Sequence, residues 1–498
     1  MKGMFNFGLL GIRRVFGGVM PPKPSIDKWV KEHMVFWYDM SKPVDVYTQN
    51  FNDWQNYNPN SVSITNNKIV VNGLIDNFRI ASIGKETESF SVFIEGLGDK
   101  NLVYRVKLDE NSDQITNIKL KDGKNVLPHS FATTVTFMGA SGVTDYIGLT
   151  ITQLPSGQSV PTNEILKANP YLQDHSGNNR PLKLNNFLFA AMSGVGGYEY
   201  NWLNSALFIT YLSGARGDGT ITDNTITINN VKVSNGVIET RVNSPSKKYK
   251  VRVTGITSNE TLRYVVYGDT SLGELATTIF DMKKDGEYEL PASTYSTTYN
   301  MKWQVIAASY PHTCNITIEQ IPSYPNALVT DGVDDYGQVE NLQQGVKVLF
   351  VTINPFVDGK SIYDQRLNTT EPWLFAVFND KGSIAYNSRN SNGKTYIDGT
   401  LNESTIVSAL LNKKQIITIV NNDVTGDKTK TPVFFSNTDH DSGWISSAFY
   451  NSIGFDSVPT KETDGFTEQD LITWVIDNMI NGTPQSGVFP YVFPLKVN

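Results

Sequence analysis

Apolar and polar residues alternate with a period of two along most of this chain. Val251 and Val253 alternate with Lys250 and Arg252, and Ile416-Ile417-Thr418-Ile419-Val420 is a β-branched run closed by Asn421-Asn422-Asp423. Alternation punctuated by Asn, Asp and Gly predicts short strands joined by turns. Helical spacing shows at two places. Ser25 is an N-cap candidate ahead of Ile26-Asp27-Lys28-Trp29-Val30-Lys31-Glu32, which predicts one short helix. Near the other end, Thr467 to Ile480 places Leu471, Val475 and Met479 on one face, with Thr467 and Asp470 as a capping box. Asp331-Gly332-Val333-Asp334-Asp335-Tyr336 stands between Ala327-Leu328-Val329 and Gln338-Val339. Gly takes positive φ at no steric cost and Asp bonds its own backbone, so this run predicts a tight hairpin.

An internal repeat appears when residues 60–156 are laid over 224–323. Ile64-Thr65-Asn66-Asn67-Lys68-Ile69-Val70-Val71-Asn72-Gly73 faces Ile228-Asn229-Asn230-Val231-Lys232-Val233-Ser234-Asn235-Gly236. Lys121-Asp122-Gly123 with Leu127-Pro128 matches Lys284-Asp285-Gly286 with Leu290-Pro291. Both copies close on nearly one string, Thr150-Ile151-Thr152-Gln153-Leu154-Pro155-Ser156 and Thr317-Ile318-Glu319-Gln320-Ile321-Pro322-Ser323. Units of ~95 residues with many short strands have the size of an immunoglobulin-like sandwich.

Composition narrows the function. The chain has 498 residues, enough for about three domains at ~100 to 200 residues each. Charged residues are 18%, against about 25% in an ordinary domain, and aromatics reach 11%. A formal charge of -7 excludes the basic footprint of a nucleic-acid binder. Cys314 is the single cysteine, so no intrachain disulfide forms, and a lipidated N-terminal cysteine is not expected. In the first residues the apolar run containing Phe5, Phe7, Leu9 and Leu10 precedes Arg13 and Arg14, the reverse of a secretory signal. No stretch reaches the ~18 apolar residues of a membrane span. The expectation is an uncleaved docking arm, residues 1–24, that anchors the protein through those six residues; a loose tail is the alternative.

Catalytic patterns are missing. His33, His129, His175, His312 and His440 are scattered, Asp358-Gly359-Lys360-Ser361 lacks the first glycine of a phosphate loop, and the Glu-x-Asp-x-Glu run of concanavalin-A-like glycosidases does not occur. The protein is therefore expected not to be an enzyme and to hold no cofactor. Asp331, Asp334 and Asp335 are oxygen-rich enough to raise calcium, but one turn supplies few of the six to eight oxygens that ion takes, and local hydrogen bonding explains them as well. Sugar binding needs aromatic platforms beside amides and carboxylates on loops. Tyr198, Tyr200 and Trp202 follow the Gly-rich Ser193-Gly194-Val195-Gly196-Gly197, and Trp373 and Trp444 flank polar loops. Each is a candidate platform, with a place in a core as the competing reading.

Three fragments outside the repeats, together with the Asp331 to Tyr336 signature, resemble pieces of a laminin-G or concanavalin-A-like jelly roll. Met34-Val35-Phe36-Trp37-Tyr38-Asp39-Met40-Ser41 resembles its opening strand. Asp174-His175-Ser176-Gly177-Asn178-Asn179, with Leu182, Leu184 and Phe187, resembles its second element. Ser452-Ile453-Gly454-Phe455-Asp456 and the helix after it resemble the close. The closing strand of each repeat resembles BACON-type domains of gut Bacteroidetes proteins and their phages. The resulting expectation is an all-β chain: residues 1–33 an arm and short helix, 34–57 and 158–222 the first two segments of a split jelly roll, 58–157 and 223–323 two inserted Ig-like sandwiches, and 324–498 the main jelly roll with its short C-terminal helix. A linear series of domains is the rival order. As a whole the chain resembles laminin-G-bearing virion proteins of Bacteroidales bacteriophages, including the crAss-like group. That resemblance implies a head fibre, capsid decoration or tail-associated adhesin, located in the virion. Its partners would be other virion proteins through the arm, further copies of itself, and glycans, with no nucleic acid and no membrane span. A secreted bacterial glycan-binding or glycoside-hydrolase accessory protein, and a virion part with no ligand, are the alternatives.

Overall fold

The structure is a computed structural model that describes residues 25–65, 67–198, 202, 208–210, 217–222, 224–233, 237–240, 248–269, 275–292, 302–342, 345–357, 360–365, 375–378, 384–385, 393–402, 411–421, 431–436 and 443–481. It is an all-β architecture of packed antiparallel sheets with short helices.

Two large sheets form one sandwich from strands far apart in the chain. In the first, the order is Gly194–Val195, Leu328–Asp331, Ser446–Phe455, Val348–Pro355, Gln415–Val420, Lys394–Ile397, Thr400–Leu401. Met34–Asp39 also pairs with Ser446–Phe455, along Asn451 to Phe455, while Leu328–Asp331 takes the remainder of that side. The second sheet runs Tyr171–Leu172, Leu182–Asn185, Tyr336–Val339, Val433–Phe434, Ser361–Asp364, Phe375–Phe378, Ile384–Ala385. Strand alternation sends one set of side chains inward and the next outward. Leu349, Val351 and Ile353 thus join Phe36, Leu184, Tyr363 and Phe434 in the core between the sheets. Val348 and Phe350 face the other way, under the helices Ile26–His33 and Glu468–Val475, whose Trp29, Val30, Leu471 and Val475 are buried there. Both helices start on side-chain caps, Ser25 bonding the Lys28 amide and Thr467 forming a capping box with Asp470. Met479 lies in the π-helical turn Ile476–Ile480 that follows and is buried as well.

The segment Asp331 to Tyr336 is not a hairpin. Its flanking strands, Leu328–Asp331 and Tyr336–Val339, belong to different sheets and do not pair with each other. The run is a corner that carries the chain across the sandwich. Asp335 causes this by turning inward with no exposed surface, accepting hydrogen bonds from the Asp331 amide and the Ser193 hydroxyl, each at 2.9 Å. Gly332 has φ +78°, and a Cβ there would come within 2.9 Å of Ser446 Cβ, so glycine is required on both counts.

A second fastening joins residues 34–39 to residues 174–180. Asp174 is 9% exposed and accepts from the Trp37 amide, the Ser176 amide and hydroxyl, and the Arg180 amide. Asn178 Nδ2 and an Arg180 guanidinium nitrogen donate back to the Val35 carbonyl, and the Tyr38 hydroxyl donates to the Arg180 carbonyl. Burial raises the Asp174 pKa, and the four donated hydrogen bonds pull against that rise.

Between these segments stand two smaller sandwiches of like topology. The first has sheets ordered Gly123–Leu127, Phe90–Glu95, Thr150–Leu154, Lys68–Val71, Val62–Thr65 and Gln55–Asn56, Arg79–Ile83, Val135–Gly139, Leu102–Val106, Thr116–Lys119. The second repeats that order with Gly286–Leu290, Tyr249–Thr254, His312–Ile321, Thr225–Val231, Gly217–Ile221 and Phe208–Thr210, Val237–Thr240, Lys302–Ala307, Glu260–Asp269, Leu275–Met282. The register corrects one of the string matches. Ile69 lies opposite Ile151, and Ile226 lies opposite Ile318, so Ile69 corresponds to Ile226 and the match of Ile64 with Ile228 is out of step. The Asp122 and Asp285 match is in step, since each carboxylate accepts from loop amides, of Leu97 and Gly98 in one copy and Ile256 in the other.

The second sandwich contains a buried pair in which His312 Nε2 meets a Glu260 carboxylate oxygen, the Glu260 side chain being 1% exposed. Burial alone would raise the Glu260 pKa; hydrogen bonds from His312 and the Thr257 amide outweigh it and the pKa falls. His312→Ala leaves that carboxylate with the amide and hydroxyl of Thr257 as donors, and should destabilise this sandwich by about 2 to 3 kcal/mol. Denaturant unfolding followed by hydrogen exchange in Glu260–Asp269 checks it, and an unchanged midpoint refutes it.

Candidate functional site

A concave site with polar lining lies where the second sandwich meets the large two-sheet sandwich. It is a cleft of about 260 Å³. Tyr198 and Pro322 line it from the base of the sandwich, Asn224 from a turn above, and Glu164, Pro161 and Asn326 from the jelly-roll side.

Its walls follow from local chemistry. Thr162 caps the short helix Asn163–Ala168 by accepting from the Ile165 amide, which fixes Glu164 in the first turn. Asn163 Oδ1 accepts from the Val195 amide at 2.7 Å and ties that helix to the strand leading into the sandwich. The amides of Ser323 and Tyr324 donate to the carbonyls of Gly197 and Gly196, so the incoming and outgoing chains run side by side. Gly196 has φ +82°, and a Cβ there would stand 2.7 Å from Pro322 Cβ; the close approach excludes other residues. Tyr198 emerges from this pair half-buried, beside the amides of Asn224 and Asn326 and the Glu164 carboxylate. An aromatic face, apolar proline edges and amide groups in a cleft of this volume suit one ring of a neutral polyhydroxylated ligand.

The other aromatic candidates fare differently. Trp202 is 1% exposed and packs in the core of the second sandwich with Tyr264 and Trp303, so it is not a surface platform. Trp444 is half-buried ahead of Ser446–Phe455, its Nε1 has no acceptor among the described residues, and it does not line the cleft. Tyr200, Trp373 and the arm residues Phe5, Phe7, Leu9, Leu10, Arg13 and Arg14 lie outside the described residues.

The acidic group is brought together, with carboxylate oxygens of Asp331, Asp334 and Asp335 within 4.8 Å of one another. Both Asp335 oxygens are occupied by fold-internal donors, and Asp331 Oδ1 accepts from the Val333 amide at 2.7 Å. Burial, with repulsion from Asp331 and Asp334, lifts the Asp335 pKa to about 7. For Asp331 and Asp335 these are the properties of a corner fastening, with the Asp334 carboxylate exposed beside them.

Sequence reasoning missed Asn224, Asn326 and Glu164. Asn at turns and Glu in a first helical turn have sufficient local explanations, and nothing in their spacing marks a shared cleft.

No protein-family model matches this chain, and no curated protein matches it. Its likenesses are to solved structures, and they are distant. The N-terminal CBM22-1-CBM22-2 tandem domain of Xyn10C from Paenibacillus barcinonensis aligns at 8% identity and a TM-score of 0.18, over 56% of this chain and 96% of that one. An oxalate decarboxylase mutant of Bacillus subtilis aligns at 10% identity and a TM-score of 0.12, over 58% of this chain and 78% of that one. Scores this low do not establish a shared fold.

Proposed function

We propose that this protein is a non-enzymatic display scaffold, a bacteriophage virion component that presents β-sandwiches for weak, multivalent contact with surface or mucosal glycans. The observation that carries the reading is the form of attachment. Each smaller sandwich leaves and rejoins the jelly roll through adjacent chains, Ser156 donating to Val46 in one and Ser323 to Gly197 in the other. A sandwich held at one end leaves its opposite end and its outer faces available, the arrangement of a presented domain. Placement in a head fibre, capsid decoration or tail-associated adhesin, anchored by residues 1–24, rests on the family resemblance. Several copies on one particle raise avidity through effective concentration, so one shallow cleft per copy suffices. The buried Trp202 favours a second reading, a virion part with no ligand, in which the seam cleft is only a joint.

Tyr198→Ala separates the two. Loss of the aromatic face should weaken saccharide binding about five- to tenfold, a stacking contribution of about 1 to 1.4 kcal/mol, read by chemical-shift titration with neutral mono- and disaccharides. Binding that survives the substitution unchanged removes the cleft from the account. Peptide mapping of purified particles against exported cell fractions tests the virion placement: the chain in particles supports it, and the chain only in exported fractions overturns it.

A further inference from the structure

The closing strands carry a buried glutamine at the same place in both repeats. Gln153 and Gln320 are each 1% exposed, and their backbone N–H groups donate at 2.8 Å to the carbonyls of Asn67 and Asn224. Three residues on, Ser156 and Ser323 donate to Val46 and Gly197 of the incoming chain. The Gln153 side chain bridges the same two chains. Its Oε1 accepts from the Gln49 amide at 2.8 Å and its Nε2 donates to the Gln49 carbonyl at 2.6 Å, so one amide satisfies both backbone groups of a residue that is itself 8% exposed.

The incoming chains correspond too. Tyr47-Thr48-Gln49-Asn50-Phe51 and Tyr198-Glu199-Tyr200-Asn201-Trp202 share Tyr-x-x-Asn-aromatic. Phe51 and Trp202 are core residues of their sandwiches at 0% and 1% exposure. Tyr47 Oη accepts from Asn67 Nδ2 at 3.0 Å, and Tyr198 and Asn224, their counterparts, line one cleft. The repeat therefore includes its own attachment, beginning near Tyr47 and Tyr198.

We propose that Gln153 and Gln320 are one attachment device used twice, each holding the base of its sandwich closed so that both sandwiches project from the jelly roll as fixed arms. A buried amide that meets both backbone groups of a crossing chain cannot be released without stranding donor and acceptor together, so such a base resists opening more than a flexible linker does. The device stands whether or not the seam cleft takes a sugar.

Hydrogen exchange in the full-length protein tests it. Gln153→Ala should speed exchange at the Gln49 and Ser156 amides at least tenfold and leave the amides of Phe90–Glu95 unchanged. Gln320→Ala should do the same at Ser323 and Tyr324 and leave Tyr249–Thr254 unchanged. Gln153→Glu keeps an acceptor and removes the donor, and should give the same pattern. Unchanged exchange at either base overturns the proposal. So does opening of a whole sandwich with its base, or failure of all three variants to fold, because the glutamines would then be core residues and not clamps.

Discussion

Asp174→Ala should release residues 34–39 from the jelly roll and cost about 3 to 5 kcal/mol. The substitution strands four donors at once: the amides of Trp37, Ser176 and Arg180 and the Ser176 hydroxyl. Met34–Asp39 has Ser446–Phe455 as its sheet partner. The Asp174 fastening is its other main restraint, and Phe36 and Tyr38 sit in the central core. Hydrogen exchange across Met34–Asp39 is expected to accelerate more than a hundredfold, since every 1.4 kcal/mol is a factor of ten. Asp174→Asn keeps one acceptor oxygen and should cost less. Exchange unchanged in the alanine variant would mean that the strand is held by its sheet partner alone.

The second large effect is on pH. Asp335 has a folded pKa of about 7 against about 3.9 in an unfolded chain, so the folded state binds the proton more tightly. Its contribution to stability is fully present below pH ~4 and is lost as pH rises through about 7, on the order of 4 kcal/mol across the window. An asparagine in the same place keeps an oxygen that accepts from the Asp331 amide and carries no charge at any pH. Asp335→Asn should therefore match the wild type near pH 4, exceed it above pH 7, and abolish the slope between. Urea midpoints of the jelly-roll transition from pH 4 to 8, taken as wild type minus variant so that other carboxylates cancel, measure it. A difference that is flat with pH contradicts the assignment.

The sequence carried element types better than it carried partners. Alternation and caps identify strands such as Gln415–Val420 and the helices Ile26–His33 and Glu468–Val475, because periodicity and capping are local properties. Which strand lies beside which is not local: nothing between Met34 and Phe455 announces that they face each other across a sheet. The corner at Asp331 to Tyr336 was read as a hairpin for the same reason. Asp-Gly chemistry fixes a reversal, and only the inward turn of Asp335 toward Ser193 decides that the reversal changes sheets. Alternating strings match themselves almost as well after a small slip, which is how Ile64 came to face Ile228 while the ladders align Ile69 with Ile226. At the site, Tyr198 was legible as an aromatic after a glycine cluster. Its neighbour Trp202 has the same credentials in the sequence and is core. Tyr198 lines the cleft while Trp202 packs in the core, and Asn224 and Asn326 reach the cleft from turns that share no sequence signal with it.

The account turns on weak sites made effective by number, and a panel of immobilised neutral glycans probed with the full-length protein, once as free protein and once clustered on beads, tests this most directly. The clustered protein should be retained on at least one glycan that the free protein leaves within seconds, with retention lost when Tyr198→Ala protein is clustered in its place. Clustered protein that binds none of the glycans, or binds them equally well without Tyr198, would contradict glycan display through the seam cleft.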